Sequence, residues 1–427
     1  MSKVRLIVVL LICASPGVLL WDGLIAQGLV AGIVAAGLVL TARALRPGEA
    51  EFLVSIIRPA AALAAVPALW ILLQALPFGF LANPIWTSAK LALGRSIASS
   101  VSVDPAASII ALGQYLTLGA VAFLSAAVAA DRVRAEWLLF AMTGVGVVFA
   151  LLLMAHGLFS PVLEFSTFMN AQAADCAAMG AVIAGAACMR SLERYESRHG
   201  RSHGSVPILL WTSAASGVAL VLCVAAVIFE EPPEVLFATA CGVVIIGWII
   251  VVRRFRLGAW GVVPFVVVVS SVALLVFSTH PVERGQSALL AFAASSSEAV
   301  VSQRMLKDAP LVGTGAGTFA ALVPVYHAID DPPGGSAAST AAATLAIELG
   351  RPLLWLFVLA IAASILIFLR AALVRGRDSF YPAMGGGCLV TLGLLIFMNA
   401  GLLGNATGLI VAVMFGLSTA QSKSRTA

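Results

Sequence analysis

Charge is what this chain has least of. Only 11% of its 427 residues are Asp, Glu, Lys or Arg, against 61% hydrophobic ones, and the mean hydropathy is +1.05. A soluble domain carries about 25% charged residues, so a water-soluble globule is excluded. Alternation of apolar and polar residues at period two is missing, which excludes a membrane barrel. The six cysteines form no paired spacing, and each falls inside an apolar run, where cysteine acts as a small hydrophobe; neither a disulfide framework nor a thiolate metal site is indicated. The glycine-rich run at 313–317 has no following Lys-Ser/Thr and no preceding strand, which excludes a Walker loop and a dinucleotide fingerprint. No internal repeat is discernible.

What the chain does have is long apolar runs separated by short polar breaks. Crossing a hydrocarbon core of about 30 Å takes about 20 apolar residues. Twelve such runs are expected as spans, at 4–21, 24–43, 60–77, 106–129, 136–158, 172–189, 207–229, 235–252, 259–278, 352–370, 383–402 and 405–420. Backbone groups in lipid need partners within their own segment, so the spans are helices and the fold class is all-α: a polytopic membrane protein, residues 1–427 forming one integral domain. The first run, after Lys3 and Arg5, has no clear small-x-small cleavage site and reads as a retained helix.

Charge placement orients the bundle. With both termini cytoplasmic, the inner segments hold 19 of the 25 Lys and Arg residues, and the outer ones keep only Lys90, Arg95, Arg284, Arg304, Lys307 and Arg351. That asymmetry follows the positive-inside rule and sends the one long polar stretch, 279–351, to the outer face. The net charge of +5 then reflects orientation, not nucleic-acid binding.

Function is expected in that outer loop and the helix ends beneath it. Arg304 and Lys307, spaced i, i+3, share a helix face; with Arg351 just outside the next span, and Arg284 in the same loop, they offer guanidinium and ammonium donors to a diphosphate. Pairing with Glu298, Asp308 or Glu348 is the structural alternative. The run Gly313, Gly315, Gly317 reads as a turn that lets backbone approach a neighbour. Asp175, three residues after Gln172, is too costly to face lipid and should point into protein or a hydrated cavity, or else simply start a helix. His156 sits at similar depth. His199 and His203 have metal-ligand spacing on a helix that Gly200 and Gly204 weaken, and no third ligand is near, so no metal is expected. Gly385, Gly386, Gly387 and Asn399 are read as helix-packing positions.

Several of these segments together resemble the bacterial O-antigen ligase and polymerase superfamily. Arg304, then 308–319 (Asp-Ala-Pro-Leu-Val-Gly-Thr-Gly-Ala-Gly-Thr-Phe), Pro324 to Tyr326 and the Glu-Leu-Gly of 348–350 are similar to its large periplasmic loop. Thr167-Phe-Met-Asn170 is similar to a family TF-x-N-x-N-x-x-A stretch, with Gln172 in place of the second Asn and Asp175 in place of the Ala. Residues 70–86 and 100–105 resemble an outer loop of many members.

The resemblance implies a glycosyltransferase in the bacterial inner membrane, acting at the periplasmic face on a polyprenyl-diphosphate-linked glycan donor with a glycan or lipid acceptor, in lipopolysaccharide or exopolysaccharide biosynthesis. It implies no cofactor, no metal and no nucleic acid. Arg304 and Arg351 would hold the diphosphate, with Lys307, Arg284 and Asp175 as further substrate-binding candidates. The family's His-Asn pair before Glu-Leu-Gly falls here on Ser339 and Thr340, neither of which is a base. His327, Asp330 and Asp331 are the candidate catalytic substitutes, and a Pro-terminated turn is their bland reading. A non-catalytic family member and a lipid-linked glycan transporter stand as alternatives.

Overall fold

A computed structural model describes residues 2–21, 23–45, 47–79, 82–96, 98–159, 166–198, 206–229, 233–255, 288–290, 296–327, 339–375 and 378–423. Regular structure among them is entirely helical. The first part comprises α1 (Ser2–Leu20), α2 (Leu24–Ala44), α3 (Pro47–Ala75), a short α4 (Ile85–Leu93), α5 (Pro105–Ala129), α6 (Arg132–Leu158), α7 (Thr167–Arg198), α8 (Val206–Phe229) and α9 (Pro233–Phe255). Three short helices follow, α10 (Ser296–Asp308), α11 (Phe319–Tyr326) and α12 (Ala341–Glu348), and then α13 (Arg351–Val374), α14 (Phe380–Leu395) and α15 (Asn405–Ala420).

Among the described residues, nine helices are long and apolar enough to cross a membrane: α1 to α3, α5 to α9 and α13. Helices α14 and α15 are apolar but have 16 residues each. At 1.5 Å per residue they reach about 24 Å, short of a full hydrocarbon core. The expected span at 259–278 lies outside the described residues.

Two expected boundaries need correction. Helix α3 begins at Pro47, well before residue 60, and runs through Pro59 and Pro67 for 29 residues. Glu49, Glu51 and Arg58 lie in its first half, because a helix that satisfies its own backbone continues past an apolar window into the polar layer. The expected span at 383–402 is interrupted after Leu395, with a 3-10 turn at Gly401–Leu403. The carbonyls released there have other partners: Ile396 O accepts from Ala342 N and Asn399 O from Ala341 N, both at 2.8 Å. An incoming helix end therefore replaces the intrahelical ladder.

Helix α7 is the centre of the bundle, with 94% of its apolar window buried. Its Ala- and Gly-rich sequence explains why: small residues let backbones approach where lipid offers no hydrophobic drive between helices. A Cβ at Gly180 would lie 2.8 Å from the Gly146 Cα of α6. Gly387 of α14 sits equally close to Gly242 of α9, which supports the packing reading of the 385–387 glycines.

A second, smaller core forms in the loop. Leu290, Met305, Leu306, Phe319, Val323 and Ile347 bury against one another over the start of α13. The three short helices thus make a lid over one end of the bundle, where α3 ends and α5, α7 and α13 begin.

Candidate functional site

The glycine run is a hub. Gly313, Gly315 and Gly317 have φ of +84°, +113° and +74°, backbone that only glycine adopts without strain. Space excludes side chains as well. A Cβ at Gly313 would strike Glu348 O, and one at Gly315 would strike the Ser102 side chain. The turn so formed receives the C-terminal end of α12: Thr314 N donates to Ile347 O at 2.9 Å and Gly315 N to Glu348 O at 3.0 Å. From α3, Gln74 Nε2 donates to Val312 O and Glu348 O, while Trp70 Nε1 donates to Leu349 O. From the segment before α5, Val103 N donates to Thr314 O, and from the first turn of α5 Ser108 Oγ donates to Ala316 O. The Ile347 and Glu348 carbonyls at the end of α12, which helix geometry leaves without intrahelical donors, are both met here.

Glu348 itself turns its carboxylate onto this turn. Its Oε1 accepts Phe319 N at 3.0 Å, and the carboxylate also accepts from the Gly317 backbone. Loss of water pushes its pKa up to about 7, and those two donors only partly pull it back. The side chain is half-buried. A carboxyl outside the membrane spans that titrates near neutrality suits general acid or base work.

The expected cations gather around α10. Arg304 Nη1 donates to Tyr326 O at 3.1 Å, which places Arg304 beside His327, the residue that follows α11. Arg351 Nη2 donates to Leu306 O at 2.9 Å, one residue before the exposed Lys307. Burial raises the pKa of Tyr326, and its hydrogen bond to Asp308 raises it further. Arg304, Lys307, Arg351 and His327 therefore share one neighbourhood, and Arg351 begins the helix that starts just after Glu348. Arg284, Asp330, Asp331, His199 and His203 lie outside the described residues. Thr340, at one of the two positions of the absent histidine motif, is the N-cap of α12, its Oγ1 accepting Ala343 N at 3.1 Å; Ser339 donates to Ser302 Oγ. Both serve structure.

Asp175 lies at the opposite end of α12. It is fully buried, and its Oδ1 accepts Asn399 Nδ2 at 2.9 Å. Asn399 in turn accepts Gly401 N and Ala341 N, tying Asp175 to the interrupted segment and to α12. Asp175 Oδ2 and Gln172 Nε2 have no hydrogen-bond partner among the described residues. Asn399 is thus a polar partner and not a packing residue.

Sequence reasoning left Glu348 as a motif position or an ion-pair partner and gave no role to Gln74 or Ser102. A lone Gln within an otherwise apolar run was the available signal for Gln74. No family model matches this chain, and no curated protein matches it. The fold and site therefore define its class by themselves: a multi-pass, all-helical membrane protein with a glycine-built polar hub at one end of the bundle.

Proposed function

We propose that the protein is a membrane glycosyltransferase of the O-antigen ligase and polymerase type, with about twelve spans, both termini cytoplasmic and residues 279–351 in the periplasm. The observation that carries this reading is convergence: the segments 70–86, 100–105, 313–319 and 348–350, scattered in sequence, are bonded to one another at the glycine hub. The 167–175 segment joins through Asn399 and the start of α12.

In this reading Arg304, Lys307 and Arg351 neutralise the diphosphate of a polyprenyl-linked glycan, where charge develops as it leaves. The acceptor hydroxyl oxygen bonds to the anomeric carbon, the bond from that carbon to the diphosphate oxygen breaks, and the hydroxyl proton passes to Glu348 or His327. Glu348 supplies the base that Ser339 and Thr340 cannot. A cavity of about 320 Å³ between α1, α2, α5 and α15, lined by Val18, Leu24, Ile110 and Leu118 with Gln27 and Gln114, lies in the hub-side half of the bundle and suits an apolar tail.

The test is a deletion strain complemented with wild type, Arg304→Lys, Arg304→Ala and Glu348→Gln at matched membrane levels. Loss of long polysaccharide with accumulation of lipid-linked repeat units is expected for the deletion and for Arg304→Ala. Unchanged polymer and unchanged lipid-linked pools in the deletion would overturn the reading.

Transport is the second reading, favoured by one feature. The helix interruption at 396–404 beside a buried carboxylate is an arrangement that transporters use at substrate sites. Substrate appearing across the membrane without covalent change, and abolished by Asp175→Asn, would select it.

A further inference from the structure

The end of the bundle away from the hub carries a second polar cluster that glycan transfer leaves unused. It is built where α6 begins, α7 and α9 end, and α13 passes into α14. Helix α13 spans Arg351–Val374, so this cluster lies about 36 Å from the hub at 1.5 Å per residue.

Five guanidinium groups and three carboxylates meet there. Arg190 Nη2 pairs with Glu136 Oε2 at 2.8 Å, and Arg194 pairs with the same carboxylate. Arg253 and the Ser379 hydroxyl share Glu193 Oε1, and Arg132 pairs with Asp378 Oδ1 at 2.8 Å. Arg190 also stacks over the Phe140 ring at 4.7 Å. Arg375 stands in the field of Asp378, Arg132 and Tyr381, and Tyr381 in that of Asp378, Arg190, Arg132 and Arg194. Among the described residues, the group carries two positive charges beyond its acidic partners.

Three donors in it are buried without an acceptor among the described residues: Arg190 Nε, Arg375 Nη1 and Tyr381 Oη. Arg190 is 4% exposed and Tyr381 fully buried. Buried donors of this strength are rarely left unmet, and two of them are charged. Orientation by the positive-inside effect explains cations in this layer; exposed, solvated ones would serve it as well, so it does not explain why these are enclosed. An acceptor with several lone pairs and about two negative charges would meet these donors and balance the cluster. The Arg132 side chain, 52% exposed, leaves the cluster open to the polar layer.

We propose that Arg190, Arg375 and Tyr381 form a phosphate-binding site, occupied by the phosphate of an anionic lipid headgroup or of a soluble phosphate compound. Basic pockets between helix ends at this depth suit either source.

The protein is purified in detergent, stripped of lipid, and its thermal midpoint followed while phosphatidylglycerol, phosphatidylcholine, inorganic phosphate or chloride at matched ionic strength is added; native mass spectrometry counts retained lipids. Wild type is expected to rise with phosphatidylglycerol or with phosphate, and not with phosphatidylcholine or chloride. A response to phosphatidylglycerol alone assigns the headgroup, and one that includes phosphate assigns a soluble anion. Arg375→Gln should weaken the response at least tenfold in half-saturating concentration, and Arg134→Gln, outside the cluster, should leave it unchanged. Should Arg375→Gln fail to fold, Tyr381→Phe removes one donor with little loss of volume and should weaken the response several-fold. No selective response in wild type, or an undiminished one in the variants, overturns the site.

Discussion

Glu348 couples the hub to pH. Its folded pKa of about 7 lies above the 4.5 of the free side chain, so the folded hub prefers the protonated form. The stability this contributes is present below about pH 4.5 and fades as pH rises through about 7. The displacement corresponds to about 3 kcal/mol as an upper figure. The thermal midpoint of the purified protein should accordingly fall between pH 5 and pH 8, and Glu348→Gln should flatten that slope while keeping the hydrogen bond from Phe319. An equal slope in the variant would place the titrating group elsewhere. Gly315 makes the complementary test, because both its φ of +113° and the Ser102 side chain forbid a Cβ. Gly315→Ala should cost at least about 2 kcal/mol by the same assay; Gly217→Ala, with open space around it, should cost nothing measurable. The three glycines were legible in the sequence as a turn approaching a neighbour, but the neighbour was not. Trp70, Gln74 and Ser102 reach the turn across more than 200 residues of chain, and spacing carries no record of such contacts.

Helix α12 shows how a short element is held with little sequence signal. Its eight residues, half of them alanine, have no amphipathic stripe, and most of them are buried. Its first amides are met by Ile396, Asn399 and Thr340, and its last carbonyls by the glycine turn and α3. An isolated eight-residue helix is marginal in water, so these terminal bonds and burial sustain it. The interruption at 396–404 is the other half of the same joint, and hydropathy hid it because the segment stays apolar while leaving the helix. Asn399 links the two through Asp175. Asn399→Ala leaves the Asp175 carboxyl without its side-chain donor and should cost about 1–3 kcal/mol. Asp175→Asn keeps the shape and an acceptor oxygen for Asn399 and should cost less, and the double variant should lose less than the two singles combined. Thermal midpoints of the four proteins check this; strict additivity would mean that the two side chains do not interact energetically.

Among the described residues, the charged and hydrogen-bonded clusters gather at the two ends of the bundle. Trp70, Gln74, the glycine turn, α12 and Arg351 gather where α3 ends and α5, α7 and α13 begin, whereas Arg132, Arg190, Arg253 and Arg375 gather where α6 and α14 begin and α7 and α9 end. Helices running between them, such as α13, are about 36 Å long, comparable with a hydrocarbon core and its flanking layers. Composition made the membrane class plain, and the lopsided Lys and Arg distribution gives an expectation of which end faces the cytoplasm, because that rule acts on insertion and needs no tertiary contact. The orientation is open to direct measurement. In a background with Cys13, the exposed cysteine, replaced by Ser, Lys307→Cys on α10 should react in intact spheroplasts with a membrane-impermeant maleimide. Arg134→Cys at the start of α6 should react only after the membrane is permeabilised. Labelling of both positions from outside would place the two clusters on one side, contradicting a spanning bundle between them. Labelling of position 134 alone would invert the molecule, bring the hub to the cytoplasm, and remove the physical basis for glycan transfer at the outer face.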